Sequence, residues 1–407
     1  MKTCLVCLQP EVEQVLDLGE TALANKFLTR EELSQPEARH PLRLGFCHNC
    51  GHVQLMEIVS PCAMFDEYLY VSAASDTLAA HLHDLSDIVT RRCKLGSGDL
   101  VVDVGCNDAT LLQGFRRNGT RTLGVDPARN LAELSLSTGI ERFVGFFGPD
   151  TASHIREKWG AASVITLSNT FPHIQDLRGF MKGVLTLLQP GGVLVLECHY
   201  LVDILEQVAF DTIYHEHVSY WALGPMKRLF ESAGLVVISA ERLPLHHGQL
   251  RVFVQRKGEG VPEASVEEVL EQEGKAGLKD VNTFLRFRDR ALEIKTNLRK
   301  LLVGLKQSGK RVAGYGAPAK GNTLLGFLEI GPDLIEYIVD RSSLKQGRFT
   351  PGTHIPVVST ERLLEDQPDY VLLLAWNFLD EVLRQQQEYR ARGGRFITPV
   401  PTARIVA

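Results

Sequence analysis

The stretch DLVVDVGCNDATLL, residues 99–112, decides the fold of the central part of the chain. Its apolar run from Leu100 to Val104 predicts a buried strand, and Gly105 ends that run before polar residues and a new apolar start. This order of strand, turn and helix is the first unit of a doubly wound α/β sheet. Two further segments, ASVITLSN at 162–169 and LLQPGGVLVLE at 187–197, predict strands of the same sheet.

The turn after the first strand predicts a nucleoside site. Gly105 allows a ligand to approach the backbone, and the next strand, RTLGVDP, ends in Asp126, whose carboxylate can accept both ribose hydroxyls. The loop lacks the full G-x-G-x-x-G of a pyrophosphate site, which favours S-adenosylmethionine over a dinucleotide. Ligands of such sheets lie at the carboxyl ends of the strands. We therefore predict six cofactor-binding residues: Asp103, Gly105, Asn107, Asp126, Asn169 and His173. For His173, an ordinary histidine at a helix start is the alternative.

Four of the eight cysteines form two C-x-x-C pairs, Cys4 with Cys7 and Cys47 with Cys50. Each pair places two sulfurs on one tight turn, and two such turns supply the four thiolates of a tetrahedral Zn²⁺ site. A pair of redox or disulfide motifs is the alternative. Because four sulfurs leave no open coordination position, we expect this zinc to stabilise the fold and to take no part in the chemistry.

The composition limits the class of protein. A chain of 407 residues, 44% hydrophobic and 23% charged, is long enough for two or three domains. The net charge is −5 and no block of Lys or Arg stands out, which argues against a nucleic-acid partner. No run of about 18 uncharged apolar residues indicates a membrane span, and the first residues are too acidic for a secretory signal. We expect a cytoplasmic globular protein without a membrane partner.

The sequence YHEH, Tyr214 to His217, places four side chains that donate or accept protons in consecutive positions. In an extended segment Tyr214 and Glu216 would face one side and the two histidines the other, so only a turn or a helix start brings them together. One alternative is a structural hydrogen-bond cluster that holds a loop. Another is a metal site, although the H-E-x-x-H spacing is absent.

The character of the sequence changes near residue 258. A charged, helix-forming stretch and a long periodic helix through 282–309 lead to the strand RVAGYGA, a helix that contains Lys320, and a second strand that ends at Asp340. This βαβ pattern predicts a second Rossmann-like domain. Its Gly-rich turn and Lys320 can receive the diphosphate of a sugar nucleotide, or the glycines serve packing alone. The predicted domains are residues 1–75, 76–257 and 258–407.

Taken together, these motifs resemble a known family of enzymes. The paired C-x-x-C, the D-x-G-C-N-D loop, SNTFPHI, YHEHVSYW and VAGYGAPAKGNTLL are similar to those of the S-adenosylmethionine-dependent C-methyltransferases of deoxysugar biosynthesis. The resemblance implies a zinc-binding N-terminal domain, a central class I methyltransferase domain and a C-terminal Rossmann-like domain. It also implies a nucleotide-linked keto-deoxysugar, of the dTDP type, bound between the last two domains.

Methylation of carbon requires a carbanion equivalent, which a carbon beside a ketone supplies once a base removes its proton. We predict His217 as this base, because a neutral imidazole suits the task. The resemblance implies that Glu216 and Tyr214 line the same pocket and that Tyr68 or Tyr70 reaches it. Four further residues are predicted to bind the substrate: His215, His247, Arg251 and Lys320.

The stretch LHHGQLR, residues 245–251, departs from the His-Gly-Gly-Ser-like stretch of the family. Its larger polar side chains would make the pocket smaller or change which polar groups line it. The acceptor could therefore be a different small molecule. A second alternative is an NAD-dependent sugar-nucleotide enzyme that uses the C-terminal domain. A third is a zinc-ribbon module that modifies or recognises RNA or protein. The sequence does not fix the oligomeric state, and a monomer is compatible with it.

Overall fold

The described residues form three β-sheets, of four, seven and six strands. A computed structural model describes residues 2–65, 71–132, 137–244 and 248–406. Three predicted site residues, Tyr68, Tyr70 and His247, lie outside these ranges. None of the helices within the described ranges is long and apolar enough to span a membrane.

The N-terminal part carries the first three strands and a short helix: β1 (Val12–Thr21), β2 (His40–Cys47), β3 (Val53–Leu55) and α1 (Cys62–Phe65). The strands pair in antiparallel order, β1 with β2 and β2 with β3. Both C-x-x-C pairs lie at one end of this sheet, because Cys7 precedes β1 and Cys47 ends β2. Gly51 closes the second knuckle at φ 73°, a backbone conformation that glycine adopts without strain.

The central part contains the seven-stranded sheet, the helices around it and one short strand of the N-terminal sheet. Its elements are α2 (Asp76–Cys93), β4 (Leu100–Val104), α3 (Thr110–Arg117), β5 (Arg121–Asp126), β6 (Glu141–Val144), α4 (Pro149–Trp159), β7 (Ala162–Ser168), α5 (Leu177–Leu187), β8 (Leu188–His199), α6 (Leu201–Glu206), β9 (Ser219–Tyr220), α7 (Leu223–Ser232), β10 (Leu235–Leu243) and β11 (Gln249–Arg256). The strand order is β6-β5-β4-β7-β8-β11-β10.

Four of the central pairings are parallel, while β11 runs antiparallel to both β8 and β10. The chain therefore reverses direction in space at β4, and the crevice beside this reversal lies at the carboxyl ends of β4 and β7. The predicted doubly wound sheet is confirmed, and β4 begins and ends where the apolar run predicted.

The strand β9 belongs to a different sheet from its neighbours in the sequence. Tyr220 pairs with Val53, so β9 forms the fourth strand of the N-terminal sheet. Because β9 begins two residues after His217, this pairing fixes the YHEH segment against the N-terminal part.

The C-terminal part begins with α8 (Ala264–Lys275) and the long helix α9 (Val281–Gln307), which the sequence predicted as a connection. Its sheet and remaining helices are β12 (Val312–Tyr315), α10 (Ala319–Leu328), β13 (Ile338–Val339), β14 (Val357–Val358), α11 (Arg362–Asp366), β15 (Tyr370–Leu373), α12 (Leu379–Gln385), α13 (Gln387–Ala391), β16 (Arg395–Thr398) and β17 (Arg404–Val406). The predicted βαβ unit is β12, α10 and β13, whose strands pair in parallel.

Candidate active site

A cavity of about 510 Å³ lies at the carboxyl ends of the central strands. All three parts of the chain contribute to its wall. Asn25 comes from the N-terminal part, the loop after β4 and the YHEH segment come from the central part, and Lys320 and Asn377 come from the C-terminal part. A ligand in this cavity would therefore contact all three parts at once.

One half of the cavity is built by the predicted cofactor residues, all six of which line it: Asp103, Gly105, Asn107, Asp126, Asn169 and His173. The turn after β4 has its sharp form because Gly105 adopts φ 77°, and a Cβ at this position would lie 2.1 Å from Thr170 Oγ1. The Asp126 carboxylate accepts hydrogen bonds from the backbone N–H of Asn107 and of Ala128, each at 2.9 Å. These bonds hold the acid at the position expected for a ribose partner.

Buried carboxyl groups give this half of the cavity its electrostatic character. Asp103 accepts a hydrogen bond from Thr166 Oγ1 at 2.7 Å, and burial raises the pKa of Asp103 to about 7. Burial also raises the pKa of Asp126, although the Arg142 guanidinium acts in the opposite direction. A positively charged ligand favours the ionised form of such acids. The positive sulfonium of S-adenosylmethionine therefore fits the residues present.

The YHEH segment forms a turn, in which the His217 N–H donates to the Tyr214 carbonyl at 2.9 Å. This turn brings Tyr214 and His217 to the cavity, with 4.1 Å between their ring centroids. Nδ1 of His217 lies 2.9 Å from the Thr212 carbonyl oxygen, which only accepts, so Nδ1 carries the proton. Nε2 then accepts from the Tyr214 hydroxyl at 2.9 Å.

The surroundings of His217 keep its ring neutral. Burial lowers the pKa of His217 well below its ordinary value, and the neighbouring His173 and His199 lower it further. His173 is stacked on His217 with 5.1 Å between the ring centroids, and burial lowers its own pKa to about 4. A neutral imidazole with its lone pair on Nε2 is the form that can accept a proton from a ligand.

The two middle residues of the turn form contacts with the N-terminal part. His215 Nε2 lies 3.3 Å from the Pro41 carbonyl oxygen. Both carboxylate oxygens of Glu216 accept from the Asn25 amide, at 2.7 and 3.0 Å. Neither His215 nor Glu216 lines the cavity. These contacts anchor the turn, and the roles toward the substrate that the sequence predicts for His215 and Glu216 stay predictions.

The C-terminal part brings a cation to the same cavity. Lys320 lies near the start of α10, with Nζ 5.0 Å from the centroid of the Trp376 ring. Trp376 Nε1 donates to the buried Asp211 carboxylate at 2.6 Å, and the negative charge of Asp211 raises the pKa of Lys320 against the larger effect of burial. The positive charge of Lys320 in turn contributes to the low pKa of His217. The positive charge of Lys320 therefore influences the electrostatics of the end of the cavity that holds His217.

Arg251 does not reach the cavity wall. Its Nε donates to the buried Glu197 carboxylate at 2.5 Å, and the other oxygen of Glu197 lies 2.7 Å from His81 Nε2. Arg251 thus forms an internal ion pair between β11 and β8, and its contact with the substrate stays a prediction.

The four cysteines of the N-terminal part form a cluster whose sulfurs all lie within 4.8 Å of one another. Cys4 and Cys50 are 3.6 Å apart, and Cys7 and Cys47 are 3.5 Å apart. Four sulfurs at 2.3 Å from one Zn²⁺ would be about 3.8 Å apart in a tetrahedron, so this cluster fits the ion. The two nearby histidines have other partners, since His48 bonds to Glu13 and His52 to Ser219.

Three residues of the site were missed or only partly noted in the sequence. Arg142 is buried, and its guanidinium donates to the Asp126 carboxylate at 2.9 Å and to the Asn107 carbonyl at 2.9 Å. Asn25 holds Glu216 from 191 positions away. Gln249 lines the cavity at the start of β11. Of these three residues, only Gln249 could have been found from the sequence, because it lies in LHHGQLR, which departs from the motif expected for the family.

The sheet order, the acid-lined loop after β4 and the sulfur cluster define an S-adenosylmethionine-dependent methyltransferase with a zinc-binding domain. Three family models match the chain, described as "Putative zinc binding domain" over residues 4–65, "Methyltransferase domain" over 76–240 and "C-methyltransferase C-terminal domain" over 244–401. C-methyltransferase NovU of Streptomyces niveus is 36% identical over 405 residues, which cover 99% of this chain and 96% of that protein. The chain belongs to the family of C-methyltransferases that NovU represents.

Two more distant similarities cover smaller shares of the chain. The ubiquinone biosynthesis O-methyltransferase of Rhodopseudomonas palustris (strain BisB18) is 26% identical over 103 residues, 25% of this chain and 39% of that protein. The solved structure of an S-adenosylmethionine-dependent methyltransferase from Clostridium acetobutylicum ATCC 824 is 15% identical, with a TM-score of 0.37 over 46% of this chain and 94% of that one.

Proposed function

We propose that this C-methyltransferase methylates a carbon next to the ketone of a nucleotide-linked keto-deoxysugar, of the dTDP type, through an enolate that His217 generates. The observation that carries the proposal is the position of His217. Its neutral ring lines the same cavity as the cofactor residues, with Nδ1 fixed on the Thr212 carbonyl and the lone pair of Nε2 paired with the mobile hydrogen of the Tyr214 hydroxyl. The motifs that resemble the deoxysugar enzymes support the choice of acceptor.

In the proposed reaction, His217 Nε2 removes a proton from the carbon beside the ketone, and the electron pair of that C–H bond moves to form the enolate. When bound, S-adenosylmethionine supplies the electrophilic methyl group that this carbon takes up. The imidazolium of His217 and the enolate form together, so their opposite charges offset the cost of charging a buried ring. His217 then loses the proton to solvent and returns to its neutral form.

Tyr214 and Lys320 would stabilise the enolate oxygen. The Tyr214 hydroxyl donates to Nε2 in the free enzyme. Once the acceptor occupies Nε2, this hydroxyl can turn and donate to the ketone oxygen, where negative charge develops. The buried ammonium of Lys320 acts on the same end of the cavity and favours the same charge. These roles replace the diphosphate contact that the sequence suggested for Lys320.

The test separates proton removal from methyl transfer. Wild type and His217→Asn are incubated in deuterated water with dTDP-4-keto-6-deoxyglucose, and the sugar nucleotide is analysed by mass spectrometry with and without S-adenosylmethionine. We expect wild type to add one methyl to carbon and to exchange the carbon-bound proton. Loss of the base should slow both reactions by about 10²- to 10⁴-fold.

Asn is chosen because its amide N–H can still donate to the Thr212 carbonyl, and His154→Asn, at an exposed position, is the matched control. Cofactor binding by His217→Asn, measured by calorimetry, should match wild type. Unchanged deuterium uptake in His217→Asn would assign the base to another residue. A wild-type enzyme that methylates no keto sugar nucleotide would refute the acceptor class.

A further inference from the structure

Gln249 is the first residue of β11 and lies in the wall of the cavity. In the antiparallel pairing of β11 with β8 it stands opposite His199. Side chains opposite each other in such a pair point to the same face of the sheet. Since the His199 ring lies 5.4 Å from the His217 ring, Gln249 belongs to the end of the cavity that holds the proposed base.

The Gln249 side chain is buried, with 0% of its surface exposed. Within the ranges that the structure describes, neither its Oε1 nor its Nε2 has a hydrogen-bond partner. Buried amides are normally hydrogen-bonded, because burial without a partner costs free energy of folding. Arg251, two positions along the same strand, satisfies its buried charge with Glu197. Gln249 therefore differs from its neighbour in having both polar atoms available to a ligand.

We propose that Gln249 determines acceptor specificity by binding a hydroxyl group of the acceptor, close to the carbon that loses its proton. An amide has a hydrogen-bond donor and an acceptor side by side, and a hydroxyl group can both accept from the donor and donate to the acceptor. A ketone can only accept a hydrogen bond, and a methylene group can neither donate nor accept one. An acceptor that lacks this hydroxyl would leave both amide atoms unpaired in a closed site. This inference rests on the proposed function, and it adds which group of the sugar the enzyme recognises.

The test compares dTDP-4-keto-6-deoxyglucose with its 2-deoxy and 3-deoxy counterparts. Wild type should prefer the fully hydroxylated sugar over one of the two deoxy sugars by about 100-fold in kcat/KM. In Gln249→Leu, which removes both polar atoms and is one heavy atom shorter, we expect that preference to fall below about 10-fold. Gln272→Leu, at an exposed position of α8, should keep the wild-type preference.

A second readout concerns the free protein. If the amide has no internal partner, Gln249→Leu should leave the Tm unchanged or raise it, and a lower Tm would overturn the inference. Turnover of all three sugars with equal kcat/KM by wild type, or an unchanged preference in Gln249→Leu, would overturn this inference alone. Absence of turnover of every sugar would overturn the proposed acceptor class and this inference with it.

Discussion

Replacing Asp103 by Asn should stabilise the protein at alkaline pH. Burial raises the pKa of Asp103 to about 7 in the folded protein, against an ordinary value of 3.8. The folded state therefore holds this proton more tightly than the unfolded chain, and stability falls as pH rises from the unfolded to the folded pKa. A difference of about three pKa units corresponds to about 4 kcal/mol. Asn keeps an oxygen for the Thr166 hydroxyl and removes the charge.

The assay is the thermal unfolding of both proteins without cofactor at two pH values. About a third of the destabilisation by the buried Asp103 charge is already present near pH 5, and all of it is present near pH 8. The difference in free energy of unfolding between Asp103→Asn and wild type should therefore grow by about 3 kcal/mol between these two pH values. For a domain of this size that corresponds to a relative gain in Tm of about 6–12 °C. Asp84→Asn, at an exposed position of α2, is the control for loss of one carboxylate.

The charges of Asp126 and Asp108 also raise the pKa of Asp103, so the difference between the two curves reports the Asp103 charge together with its repulsion by these two acids. If wild type and Asp103→Asn lose the same stability between pH 5 and pH 8, Asp103 does not have a raised pKa in the folded protein. The ligands offer a further check. Saturating S-adenosylmethionine should reduce the difference more than S-adenosylhomocysteine does, because only the former has a positive sulfonium to favour the carboxylate.

Three further predictions concern other parts of the molecule. Cys47→Ser should lose zinc by elemental analysis and lower kcat by about 10-fold or more, while Cys62→Ser, at an exposed cysteine, should keep both; full activity without zinc would contradict a structural role. Because burial lowers the pKa of His217 and the base acts when neutral, kcat/KM should stay flat as pH falls from about 8 to about 6, and a decline centred near pH 6.5 would be inconsistent with the buried site. Arg251→Met leaves the buried Glu197 carboxylate without its guanidinium and should destabilise the protein by about 3–5 kcal/mol in thermal unfolding. A higher KM for the acceptor with unchanged Tm would instead support the role predicted from the sequence.

The central sheet and one half of the site could be predicted because their signals are local. Four apolar residues around Asp103 give the bounds of β4, and parallel strands place the residues at their carboxyl ends at one edge of the sheet. All six predicted cofactor residues therefore line one cavity. The sulfur cluster could be predicted for the same reason, since the two cysteines of each C-x-x-C are close in sequence and share one turn.

The contacts that organise the other half of the site join distant parts of the sequence. Asn25 bonds to Glu216 across 191 positions, and nothing in the residues around Asn25 indicates this partner. Arg251 was predicted to bind substrate. It shares a face of β11 with Gln249, but it lies two residues further from the cavity and bonds to Glu197. Two residues of a strand span about 7 Å, and the sequence alone does not show how far along β11 the cavity extends.

The zinc-binding part has a direct structural connection to the proposed base. The strand β9, which follows the YHEH turn, pairs with β3, and the Leu55 N–H donates to the Val218 carbonyl next to His217. Glu216 and His215 are held by Asn25 and by the Pro41 carbonyl, both from the N-terminal part. A sulfur cluster with four thiolates has no open position for a substrate, so its effect on the reaction must pass through these contacts. The position of Nε2 thus depends on a sheet that the zinc ion stabilises, although no zinc ligand lines the cavity.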